Sequence, residues 1–147
     1  MKAKFIFPLL LTIFLGFISA RLVYAFYNNN NTPKYNCYFL QSGVYKDDKS
    51  LKESLKNIGS HVTVNSNNLN YVYVAMTTKI KNAQKLKKVY EQKGVKTVIK
   101  EMHISNEEFN RNLEQYDILL NSVTKEDELM AINESILSSY EEMVLKN

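Results

Sequence analysis

The sequence predicts an α+β fold: a ferredoxin-like βαββαβ domain with a four-stranded antiparallel sheet, preceded by a single transmembrane helix and followed by two C-terminal α-helices. Three observations carry that expectation. Strand-like and helix-like segments alternate in the order β-α-β-β-α-β over residues 35–102. An uncharged run, FIFPLLLTIFLGFISA, fills residues 5–20. Two amphipathic stretches with helix-start signals close the chain.

Residues 1–27 read as a membrane anchor. Through Tyr27 the apolar segment is about 23 residues, roughly 34 Å of helix, which crosses a hydrocarbon core of about 30 Å. Arg21 lies near the far end, where its stem can snorkel to the interface beside Tyr24 and Tyr27. Lys2 and Lys4 favour a cytoplasmic N-terminus and an extracytoplasmic C-terminal domain. The competing reading is a cleaved signal peptide, because Val23-Tyr24-Ala25 offers a small residue at the cleavage position. NNNNTPK, residues 28–34, is a polar linker to the domain at 35–102.

Within that domain, residues 35–43 have the aromatic-rich composition of a strand. Residues 47–58 form a helix, with Leu51, Leu55 and Ile58 on one face and Gly59 at the stop position. HVTVN (61–65) and YVYVA (71–75) alternate as strands around the turn SNNLN. Residues 82–92 put Leu86, Val89 and Tyr90 on one helical face before Gly94, and TVIKE (97–101) closes the series. The two helices echo each other: DKSLKESLKNIG (48–59) matches AQKLKKVYEQKG (83–94) in its leucine, apolar and glycine positions.

In the split βαβ arrangement two helices cover one sheet face and leave the other open. Alternation turns Leu40, Val62, Val64, Val72, Val74 and Ile99 toward the helices. Phe39, Gln41, Thr63, Tyr71 and Tyr73 then share the open face. Such a surface suits stacking on flat or sugar rings, with an amide for directional hydrogen bonds. It is equally the composition of an ordinary exposed sheet, where aromatics pack across strands.

Charge divides the exported part. Residues 28–104 carry 13 Lys/Arg against 5 Asp/Glu, a balance of +8, and residues 105–147 carry 3 against 10, a balance of −7. Either two parts of the molecule attract one another, or the basic part meets an anionic polymer. The tail at 103–147 reads as two helices, starting at Ser105-x-x-Glu108 and Thr124-x-x-Asp127. Phe109, Leu113, Tyr116 and Leu120 stripe the first; Leu129, Ile132, Ile136, Tyr140 and Met143 stripe the second. Helices over 105–121 and 125–146 are expected to dock on the basic domain, on helix-side lysines such as Lys52, Lys56, Lys87 and Lys88. The rival expectation is a stripe left exposed to recruit a partner helix.

No enzymatic pattern emerges. Cys37 is the single cysteine, so neither an internal disulfide nor a cysteine-rich zinc site is expected. His61 and His103 lie far apart with no metal-ligand spacing, and no phosphate loop or GxSxG elbow occurs. The carboxylates Glu107, Glu108, Glu126, Asp127 and Glu128 fall in first helical turns, where the helix dipole favours them. No catalytic residue, metal or cofactor is expected.

The stretch YFLQSGVY (38–45), its helix ending at Gly59, the YVYVA strand and the second helix ending at Gly94 together resemble the SPOR (sporulation-related repeat) domain family. The likeness covers residues 35–102 and is carried by Phe39, Leu40, Gln41, Gly43 and Tyr45; Ser42 and Ala75 depart from the family's usual residues. Members bind septal peptidoglycan, in particular glycan strands stripped of stem peptides, through the exposed sheet face. The resemblance therefore implies a membrane-anchored, non-catalytic glycan binder of cell division or sporulation, with Phe39, Gln41, Thr63, Tyr71 and Tyr73 contacting sugar. One rival is an envelope interaction module that binds a division or sporulation protein through the C-terminal helices, without glycan affinity. Another is an RNA-binding domain, since aromatics on strands 1 and 3 of βαββαβ also describe the RRM. Export argues against nucleic acid.

Overall fold

The computed structural model describes residues 35–145; the expected anchor and linker (1–34) lie outside the described residues. No described helix is long and apolar enough to cross a membrane. Eight elements follow in order: β1 (Tyr35–Tyr45), α1 (Asp48–Leu55), β2 (Val62–Ser66), β3 (Leu69–Thr77), α2 (Ile80–Gln92), β4 (Val98–Ile104), α3 (Glu107–Ser122) and α4 (Glu126–Leu145). The four strands form one antiparallel sheet in the order β2-β3-β1-β4. That order places β1 and β3 centrally, as a split βαβ arrangement requires.

Local chemistry sets the boundaries. Asp47 caps α1, its carboxylate accepting from the Ser50 amide and hydroxyl, both at 2.9 Å. These bonds hold its carboxyl below the usual range. Asn67 and Asn68 both take positive φ (52° and 61°), giving the two-residue hairpin between β2 and β3 a twist that matches its strands. Gly94 takes φ 77° and ends α2. α3 is capped by Asn106, whose side chain accepts from the Phe109 amide at 2.8 Å. The cap thus falls one residue beyond the expected Ser105, because Asn106 is the extended residue from which a side-chain oxygen reaches the third amide of the helix.

β1 and β3 are irregular. Pairing runs Phe39–Met76, Leu40–Ala75, then Gln41–Tyr73 and Gly43–Val72, so each strand carries one extra residue around Gln41. Residues directly opposite one another share a face. The rows Val98–Gln41–Tyr73–Val62 and Val44–Tyr71–Val64 therefore lie on one face with Phe39. Leu40, Ala75 and Ile99 lie on the other, as does the row Gly43–Val72–Thr63. Leu40, Val72 and Ile99 share a face as expected. Val62 and Val64 are on the face opposite to the one expected, because β2 pairs Val62 with Tyr73 and Val64 with Tyr71.

The decisive difference concerns the second face. Phe39 and Leu40 are both fully buried, and the consecutive residues 72–77 of β3 are all buried. Neighbouring side chains point to opposite faces, so such runs require cover on both sides. α2 packs on β3 and β1; α3 and α4 also pack on β3, with α4 reaching β2. Tyr140 of α4 meets the ring of Phe39 edge-on at 5.5 Å and that of Phe109 at 5.6 Å. The C-terminal hairpin occupies the sheet face expected to be open.

The tail thus docks on the basic domain, but against the sheet rather than on Lys52, Lys56, Lys87 or Lys88. The reason is magnitude. Phe109, Leu113, Leu120, Leu129, Ile136, Leu137 and Tyr140 are all buried. Burying each is worth about 1.5–3 kcal/mol, whereas a surface ion pair adds about 0–1 kcal/mol. One described ion pair joins tail to domain, Lys93–Glu126 at 2.9 Å. A polar seam complements the apolar contact. Buried Asp117 accepts from Thr77 Oγ1, the Thr78 amide (2.8 Å), Thr78 Oγ1 (2.6 Å) and Asn82 Nδ2 (3.0 Å). Lys85 caps the end of α3 by donating to the carbonyls of Leu120 (2.8 Å) and Val123. Buried Asn133 donates to the Val74 carbonyl at 2.8 Å and the Tyr90 hydroxyl at 3.0 Å.

Candidate functional site

β1 explains why its sequence reads as it does. Between the two irregularities, Gln41 is held in a row flanked by Val98 and Tyr73. A Cβ on Gly43 would collide with the ring of Tyr45. Glycine at 43 therefore lets that ring fold over the strand on the helix side, leaving the Gln41 side of the strand unobstructed. The half-buried Gln41 amide makes no side-chain hydrogen bond among the described residues.

The hairpin covers only part of this face. It lies over β3 and β2 and across the Cys37–Phe39 end of β1, where the Cys37 thiol meets Asn110 at 3.5 Å. The corner formed by the ends of β1 and β4 stays open. Val44 is 41% exposed and Val98 55% exposed, two of the few large apolar side chains so exposed among the described residues. Lys100, opposite Phe39, is exposed, and Tyr71 is half-buried. The corner thus offers an unpaired amide, two apolar side chains, an aromatic and a cation. Such a set can pack against the apolar face of a ring while exchanging hydrogen bonds with its rim.

No family model matches the chain, and no curated protein matches it. A solved structure similar to part of it is the solution structure of the peptidoglycan-binding domain of the B. subtilis cell wall lytic enzyme CwlC. That likeness has a TM-score of 0.41 and 15% sequence identity, and covers 46% of this chain and 90% of that one. Overlap of that extent says nothing about what this chain binds.

The five expected site residues separate into three groups. Phe39 (0% exposed) and Tyr73 (6%) do share a face, with rings 5.1 Å apart, but Tyr140 seals them from solvent. Burial pushes the Tyr73 and Tyr140 hydroxyls up from their ordinary range. Thr63 is exposed yet pairs with Val72, which puts it on the opposite face. Gln41 and Tyr71 remain accessible on the right face. Val44, Val98 and Lys100 were missed; the signal available was the apolar residue at 44 beside the glycine and the alternation of TVIKE. The two histidines sit elsewhere: His61 Nδ1 lies 2.8 Å from the Gly59 carbonyl, and His103 is exposed in β4.

Proposed function

We propose that this protein is a non-catalytic binder of peptidoglycan glycan strands. It would grip them through the open corner of the sheet, with Gln41 at the centre and Val44, Tyr71, Val98 and Lys100 around it. The carrying observation is the half-buried Gln41 amide, without an intramolecular partner, between two exposed valines. The SPOR-like sequence of β1 supports a glycan rather than another ring-bearing ligand. On this reading residues 5–27 anchor the protein in the cell membrane, N-terminus cytoplasmic, and the domain works outside at division or sporulation septa. Phe39 and Tyr73 belong to the core beneath and touch no ligand.

The test is pelleting with purified sacculi, before and after amidase removes stem peptides. Gln41→Ala leaves ligand groups unpaired, costing about 1–3 kcal/mol, or roughly five- to over a hundredfold in affinity. Val98→Asp should weaken binding similarly, with melting temperature unchanged for both. Undiminished binding by both variants would refute the corner as the site.

A further inference from the structure

A second concentration of exposed apolar surface lies at the opposite end of β1 and goes beyond the glycan reading. The first turn of α2 and the middle of α3 flank a cleft of about 540 Å³. Ile80 (41% exposed) and Ile118 (63%) stand at its mouth, and the half-buried ring of Tyr38 lines it. Asp117 also borders the cleft, but its carboxylate oxygens are engaged by four donors from Thr77, Thr78 and Asn82. It therefore stiffens the groove with both carboxylate oxygens already engaged. One bank carries the exposed lysines Lys79 and Lys81 and the other the half-buried Glu114. None of the three makes an ion pair among the described residues.

The α3 bank is built from residues 114, 118 and 121, one face of two helical turns that no described element covers. No unpaired strand edge lines the groove, so an extended peptide would find no ladder to join. A helix needs none, because its backbone bonds are internal and its side-chain ridges fit the groove beside a second helix. We propose that this groove docks one amphipathic helix of a partner protein. Its apolar stripe would rest on Tyr38, Ile80 and Ile118, an acidic edge would face Lys79 and Lys81, and a basic edge would face Glu114.

Two synthetic amphipathic helical peptides of three turns test this against the full chain. They share a leucine stripe; one carries Glu on the edge facing the lysines and Lys on the other, and its twin has the edges exchanged. The first peptide should bind at least tenfold tighter than the twin, measured by fluorescence anisotropy. Ile118→Asp, at an exposed position, should weaken it tenfold or more with the melting temperature unchanged. The double change Lys79→Glu, Lys81→Glu should erase or reverse the preference between peptides. Equal affinity for both peptides, no effect of either variant, or no binding up to about 1 mM overturns the proposal. Sacculus binding should be untouched by these variants, so failure here is separable from failure of the glycan reading.

Discussion

Truncating Tyr140 to Ala asks whether the C-terminal hairpin is core or cover. The ring is 7% exposed and meets two others, Phe39 at 5.5 Å and Phe109 at 5.6 Å. Removing a large buried aromatic costs about 3–5 kcal/mol, cavity included, with about 0.5–1.5 kcal/mol per edge-on pair inside that figure. A domain of this size has about 5–15 kcal/mol of stability in all. Tyr140→Ala should therefore lower the unfolding free energy read from urea titration by that 3–5 kcal/mol, in one cooperative transition. Hydrogen exchange of the sheet and of α4 should accelerate together. A loss below about 1 kcal/mol, with α4 exchanging freely while the sheet stays protected, would refute the reasoning. The hairpin would then be a detachable lid over an intact aromatic face.

Four further outcomes follow from the same geometry. Gly43→Ala must displace the Tyr45 ring and should cost about 1–3 kcal/mol in urea unfolding, since a Cβ there overlaps the ring. Asp117→Ala removes the acceptor of the part-buried Thr78 amide and one of the two acceptors of Asn82 Nδ2, which keeps the residue-117 carbonyl; at about 1–3 kcal/mol for a stranded group, calorimetry should find at least about 1 kcal/mol lost. Burial, and secondarily the Asp117 charge, pushes the Cys37 thiol up to about 11 from 9.0. Its folded value is the raised one, so stability is full below pH 9 and is lost as pH rises toward about 11. The melting temperature should fall across that window, and less so in Cys37→Ala. Tyr90 behaves alike at higher pH: burial pushes its hydroxyl from 10.0 up to about 12, so its contribution to stability should be lost across that window, read as a further fall in melting temperature that Tyr90→Phe lacks.

Element order was legible because periodicity is local. Leu86, Val89 and Tyr90 announce α2 whatever lies against it, and all three are buried in it. Face assignment was not, because it depends on register. YVYVA alternates cleanly, yet an extra residue in each central strand near Gln41 changes which positions share a side. HVTVN shows apolar positions at 62 and 64 without saying which layer they meet; only pairing with Tyr73 and Tyr71 does so. Asp117 was hidden differently. It falls on the buried side of α3 with Leu113 and Leu120, where an acid reads as an interruption, and only the distant Thr77, Thr78 and Asn82 make it a satisfied anchor.

The same geometry bears on the reading of the β1 sequence. If Phe39 and Tyr73 were ligand-binding rings, the tail that buries them would have to leave before anything bound. Seven buried apolar side chains at about 1.5–3 kcal/mol each amount to at least about 10 kcal/mol, even allowing for partial burial in the unfolded chain a large share of total stability. Opening would approach unfolding. The rings therefore serve the core, and on the proposed glycan reading recognition moves to where the hairpin stops. There the extra residue at Ser42 carries β1 past its regular register, Gly43 takes in the Tyr45 ring on the far side, and Gln41 faces outward beside Val98. No described side chain or carbonyl bonds its amide. On the proposed reading, its partner is a glycan resting on Val44 and Val98.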